Sequence, residues 1–472
     1  MSAADMSALE MAAALQAGTI SALEAVDAVL ARIEAEKTLI AFITVCSDRA
    51  REEARRADGS RAHGEALGPL HGVPSSVKDL TNTAGVRTTY DSALHADSVP
   101  NADAVAVARA RAAGAILVGK TTTPEFGHKP FTEGPFFGRT LNPWNESVTC
   151  GGSSGGAAVA VAAGLGPLAI GTKWRRLDPH SRRLLRHCGP EANPRWHPQS
   201  PGGRSFQRQC LRRPDGAQYR RHEALVRNSR RSRPARSLWP DGPAEARNAP
   251  SDPHRRLPTC GNIVDEEVHQ VSAAAVARAQ ALGMRVEPVE LDFVASEEPF
   301  LVIPRTTLLT RLGDLARRAP ERFDPSLLAT IEAGRRYTAA ELCAAQNART
   351  SCFLRFQALF EEIDVIASPT LSAPPLAVGL DPRGQIEAGG KEAGTIRGAW
   401  YPYTFPLNLT GHPALSLPCG LTASALPLGP QLVGRWHEEH LLLDVAAALE
   451  AAIGFSARPP VAAERLRETR FA

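Results

Sequence analysis

Lys78 lies in the segment HGVPSSVKDL, residues 71–80, with Val73, Pro74 and Val77 before it and Leu80 after. A lysine becomes a general base only when burial or nearby charge brings its pKa well below about 10.4, and an apolar strand interior disfavours the ammonium in this way. At the end of a surface strand the same lysine would instead pair with Asp79, and this segment alone fits both readings equally. The second constellation is GGSSGG, residues 151–156. Glycines on both sides of Ser153 and Ser154 remove Cβ atoms, so the two hydroxyls can approach another backbone and each other. A flexible linker would not run straight into the apolar helix expected over 157–163, and a phosphate loop would close with GK[ST], which is missing. An amine and paired hydroxyls are the groups needed to move a proton on and off a nucleophilic oxygen.

The surrounding pattern predicts the elements that must hold these groups. Ser7 with Glu10 and Ser21 with Glu24 are capping boxes, each a hydroxyl three residues ahead of an answering carboxylate. Leu23, Val26, Leu30 and Ile33 recur at helical spacing, and the apolar run 39–45 follows as a strand. Residues 72–80 read as a strand, 102–113 as a helix closed by Gly114, and 115–118 as a short buried strand. Further on, 265–282 is a helix stopped by Gly283 and 284–289 a strand. A third capping box, Thr338 with Glu341, opens a helix over 338–363 that feeds a strand at 365–367. Residues 401–434 read as strand and loop, and 441–453 as a closing helix. Such alternation predicts one α/β domain over 1–472, a central mixed, mostly parallel sheet covered by helices.

The pattern breaks off after Thr172. From Lys173 the chain reads KWRRLDPHSRRLLRHCGPEANPRWHPQ, without periodicity and with prolines every few residues. Residues 173–260 hold 21 Lys and Arg against 7 Asp and Glu, so the formal charge of +4 hides a remainder near −10. Those arginines have no helical spacing and no interleaved aromatics, which argues against a nucleic-acid surface. Apolar runs this short cannot offset the entropy of ordering, so 173–260 is expected to be an irregular or disordered interruption of the domain.

The motifs that flank this break resemble the amidase signature family, serine hydrolases in which a lysine and two serines cleave carboxamides. The likeness rests on GVPSSVKD and GGSSGG, and extends to GKTTTPEFG at 119–127, GRTLNPW at 138–144, DVIASPT at 364–370 and FPLNLTGHPALSLPCG at 405–420. It implies that Lys78 is the general base, that Ser153 relays a proton from an unusual cis peptide bond, and that Ser154 supports the network. It also implies a nucleophilic serine at position 177, with backbone N–H groups of 174–177 as its oxyanion hole. The chain instead has Trp174, Arg175, Arg176 and Leu177. Written with permitted codons, Trp174 to His180 is TGGCGGCGGCTCGATCCGCAT, and reading from the second base gives Gly-Gly-Gly-Ser-Ile-Arg, the family's nucleophile motif. The same shift turns 180–194 into IPAASCGIVGLKPTR, and the stretch from Cys210 into AYGARMARSTADT. Residues 173–260 are therefore read as translated out of frame.

By this resemblance the ancestral reaction is hydrolysis of a carboxamide to an acid and ammonia or an amine, through a serine acyl-enzyme, without metal or cofactor. A glutaminase subunit of a tRNA-dependent amidotransferase is the rival within that class. A catalytically inactive amidase-like scaffold is the rival outside it, because Leu177 cannot attack a carbonyl. Thr123 and Asn142 are expected to line the pocket; Pro124, Pro143 and Pro413 read as loop punctuation. His437 and His440 in HEEH lack metalloprotease spacing, and His71 has no triad partners, so they read as a solvated face and a turn residue. Eight scattered cysteines without a CxxC pair read as reduced. The chain shows no basic and apolar leader and no stretch of about 18 apolar residues, so a cytoplasmic protein without membrane or nucleic-acid partners is expected, acting on a small amide, with a homo-oligomer left open.

Overall fold

A computed structural model of the chain describes residues 2–172, 260–289, 291 and 296–459. The expected irregularity of 173–260 therefore concerns, apart from Cys260, positions outside the described residues.

All three capping boxes form. Ser7 caps α1 (Ala8–Ala17), Ser21 caps α2 (Ala22–Ala35), and in each the hydroxyl accepts the N3 amide while the N3 glutamate answers the cap amide. The spacing read in the sequence puts Val26, Leu30 and Ile33 of α2 in the core. The chain continues through β1 (Phe42–Val45), α3 (Ser47–Ala62), β2 (Pro74–Lys78), α4 (Val105–Ala112), β3 (Ile116–Thr121), α5 (Gly155–Ala162) and β4 (Leu168–Ile170). These strands form one sheet in the order β1-β3-β2-β4, parallel between β3, β2 and β4 and antiparallel at β1. Every residue of β2 and β3 is buried, the polar Ser75, Ser76, Lys78, Lys120 and Thr121 included.

The later part of the chain builds α6 (Glu266–Ala281), α7 (Glu297–Arg318), α8 (Pro325–Gly334), α9 (Ala339–Glu362), β5 (Val365–Pro369), α10 (Phe405–Thr410), β6 (Ala414–Ser416), β7 (Pro430–Gly434) and α11 (Glu439–Ile453). The third capping box, Thr338 with Glu341, opens α9. The sheet of this part, ordered β6-β7-β5, is antiparallel throughout. The α/β class and mixed sheet match the sequence reading, but among the described residues parallel pairing is confined to the first sheet.

Two further expectations are corrected. Residues 284–289 form no strand: Met284 and Val286 pack against the cluster of Leu415, Leu432 and Leu442 from irregular backbone, without a ladder partner among the described residues. Within 401–434, read as strand and loop, lies α10, a buried helix closed by Gly411 in the left-handed conformation. At six residues, with Pro406 in its first turn, it is too short to show helical periodicity. No helix of the described residues is long and apolar enough to cross a membrane.

Candidate active site

Lys78 closes β2 with its side chain fully buried, 0% exposed, which rules out the surface reading. Its Nζ donates to Ser153 Oγ at 2.7 Å and to Ser154 Oγ at 3.0 Å. The Asp79 pairing that would mark a surface lysine is not formed. Asp79 turns to the opposite face of the sheet, accepting from the Thr89 amide at 2.8 Å and the Thr89 hydroxyl at 2.6 Å.

The loop carrying the serines is held by backbone contacts that glycine alone permits. A Cβ on Gly152 would lie 2.7 Å from the Pro130 carbonyl carbon; one on Gly156 would meet the Thr122 amide at 2.5 Å and Ala41 O at 2.8 Å. Thr132 clamps the loop from outside: its hydroxyl donates to Gly151 O at 2.8 Å and accepts the Gly155 amide at 3.0 Å. Gly152–Ser153 is a cis peptide bond, as the resemblance implied. Ser154 is the N-cap of α5, whose residues 155–160 are buried against β2, β3 and β4. Cys150, at the loop's start, is inert; burial pushes its thiol up to about 12.

Ser154 Oγ also donates to Thr172 O at 2.8 Å and accepts from Thr172 N at 3.2 Å. The chain leaving β4 is thus tied to the serine pair at the last residue before the sequence changes character. Leu177, the occupant of the expected nucleophile position, lies outside the described residues, as do 174–176 of the expected oxyanion hole.

Behind the site a second lysine is buried. Lys120 Nζ donates to Thr81 O at 2.5 Å, Thr88 Oγ1 at 2.9 Å and Thr83 Oγ1 at 3.0 Å, and stands 3.9 Å from Asp79 Oδ1. Burial brings Lys120 down to about 8 against the pull of Asp79, and raises Asp79 despite Lys120, so desolvation outweighs their mutual attraction. To one side, Glu125 accepts from Ser92 Oγ at 2.6 Å and from the Asp324 amide at 2.7 Å, beside an ion pair of Lys129 with Asp324 at 2.9 Å. Neither cluster stood out in the sequence, where Lys120 showed only as part of GKTTTPEFG.

The two residues expected to line the pocket have local backbone partners. Asn142 donates to Thr149 O at 3.0 Å and accepts the Trp144 amide at 2.9 Å, closing the GRTLNPW turn. Thr123 Oγ1 bonds Pro124 O at 3.1 Å. His71 is a turn residue bonded to Ala57 O, and His437 precedes α11; among the described residues no three potential ligands gather to hold a metal.

A family model described as Amidase matches residues 24–173 and 258–443. The chain belongs to the amidase family. One of its curated relatives is a glutamyl-tRNA(Gln) amidotransferase component from Synechococcus sp. (strain CC9605), 32% identical with 95% of this chain and 96% of that protein covered. Another is the putative amidase AmiB2 of Mycobacterium tuberculosis (strain ATCC 25618 / H37Rv), 32% identical over 94% of this chain and 95% of the relative. A bacterial aryl acylamidase of the amidase signature enzymes superimposes with a TM-score of 0.80 over 97% of this chain and 98% of its own, at 22% identity, a likeness of fold. The amidase match breaks off within one residue of the change in sequence at Lys173 and resumes at 258.

Proposed function

We propose that this amidase fold is built to cleave a carboxamide C–N bond through a serine acyl-enzyme, and that the chain as it stands lacks the attacking serine and is inactive. The observation that carries the reading is the buried Lys78 amine within 3.0 Å of both hydroxyls. In its neutral form Lys78 takes the Ser153 proton while Ser153 takes that of the attacking serine, whose oxygen bonds the amide carbon. The proton returns through the same path to the leaving nitrogen as the C–N bond breaks, and water then hydrolyses the ester. Thr172 bonded to Ser154 brings the chain to this relay five residues before position 177. The missing group belongs to the shifted frame, which restores Gly-Gly-Gly-Ser-Ile-Arg at 174–179, and the gap in the family match supports that reading.

Resequencing the gene across codon 173, and expressing both the present chain and its frame-restored form, tests the proposal. With a fluorophosphonate probe, intact mass should show one adduct on the restored chain and none on the present one. Losing the nucleophile of a serine hydrolase costs about a millionfold in turnover. Labelling of Ser153 or Ser154 in the present chain, with turnover, would overturn the reading. A second reading, the glutaminase component of a tRNA-dependent amidotransferase, is favoured by the similarity to the Synechococcus protein; ammonia release from glutamine, set against release from simple aryl and alkyl amides, separates the two.

A further inference from the structure

Parallel pairing sets Val77 beside Lys120 and Lys78 beside Thr121. Side chains alternate across a strand, so Lys78 faces α5 and the serines, whereas Lys120 and Asp79 lie together on the far face. Both are 0% exposed. All three protons of the Lys120 ammonium have acceptors, on Thr81, Thr83 and Thr88, so the turn that follows Lys78 is wrapped around this one cation. Asp79 N donates to Thr121 O at 3.0 Å and Thr81 N to Lys78 O at 3.0 Å, which anchors the same turn to β3.

This arrangement solves a problem that the lysine base creates. Asp79 follows Lys78 directly, and an uncompensated carboxylate there would favour protonated Lys78, the form unable to accept a proton. We propose that Lys120 is a positioning residue for the Lys78 relay: from the far face of the sheet it neutralises Asp79 and fixes the strand end, so that Lys78 can act as a base. The inference rests on the acyl-transfer reading of Lys78. Other charged groups near the pair are already matched or distant. Arg49 pairs with Glu53 at 2.9 Å beside Cys46 on the α3 side, and Arg111 pairs with Asp103 at 3.0 Å by α4. On the Asp79 side stand Tyr90 and Asp91, and burial, Glu125 and Asp79 itself push the Asp91 carboxyl up to about 8.

The experiment uses the frame-restored full chain with Lys120→Met, Asp79→Asn and the double variant. In Lys120→Met the acidic limb of kcat/KM should move to higher pH by about one unit or more, and the double variant should move it back. A purely structural role would lower the rate at every pH and leave the limb in place, and that result overturns the proposal. If the unsubstituted restored chain hydrolyses no amide, the acyl-transfer reading fails by itself. The pair is then tested in the present chain by thermal midpoint: Lys120→Met should lose stability that Asp79→Asn partly restores, and additive losses would refute the coupling.

Discussion

Asp91 is 2% exposed, in the left-handed conformation at φ 54°, and its Oδ1 has no hydrogen-bond partner among the described residues. Burial, then Glu125 and Asp79, push its carboxyl up to about 8, with Lys129 pulling the other way. Below about pH 4 the carboxyl is protonated both folded and unfolded, so it contributes no pH dependence. Between the unfolded value of 3.8 and about 8 only the folded chain keeps the proton, so stability falls as pH rises through that window. Each unit removes about 1.4 kcal/mol, and on the order of 4–6 kcal/mol is lost across the whole window. Asp91→Asn replaces the carboxyl with a neutral group of the same shape that also tolerates left-handed backbone. Urea unfolding followed by tryptophan fluorescence from about pH 4 to about pH 9 should show the variant matching the parent at the acidic end and exceeding it by several kcal/mol at the alkaline end. Parallel stability curves for the two proteins would show that Asp91 ionises without penalty, and the linkage argument would be wrong.

Gly156→Ala drives a Cβ into the Thr122 amide and Ala41 O, both backbone, and should cost about 1–3 kcal/mol or more, read as a lower denaturation midpoint; a neutral outcome would mean that the loop and β3 separate freely. Lys129→Met strands the buried carboxyl of Asp324 and should cost roughly 3–5 kcal/mol, largely recovered by adding Asp324→Asn; a loss below about 1 kcal/mol would contradict the burial of that pair.

What could be read from the sequence was what is encoded locally. The helix starts at Ser7, Ser21 and Thr338 are set by a cap and its glutamate three residues on, and both partners lie in one short window. Lys78 with the serine pair was legible for another reason: an amine among apolar residues and hydroxyls among glycines are unusual, and together they suggest one chemistry. What depends on register was hidden. The Lys120–Asp79 pair exists because β3 lies beside β2 in one alignment, and Lys129 meets Asp324 across 195 residues of chain. Asn142 turns out to close its own loop, as an amide among turn residues readily does, a role that its residue type alone did not distinguish from ligand contact. Residues 284–289 misled because apolar alternation specifies a face to bury but supplies no neighbouring strand.

The bonds around Ser154 Oγ leave that atom with nothing further to give. Its single proton goes to the carbonyl of Thr172, and its two lone pairs are taken by the Lys78 amine and the Thr172 amide. A hydroxyl whose valences are filled in this way acts as a rivet between the strand end, the glycine loop and the outgoing chain. On the proposed mechanism, traffic of protons through the pair falls to its neighbour Ser153, which gives the two serines, adjacent and chemically identical, unequal duties.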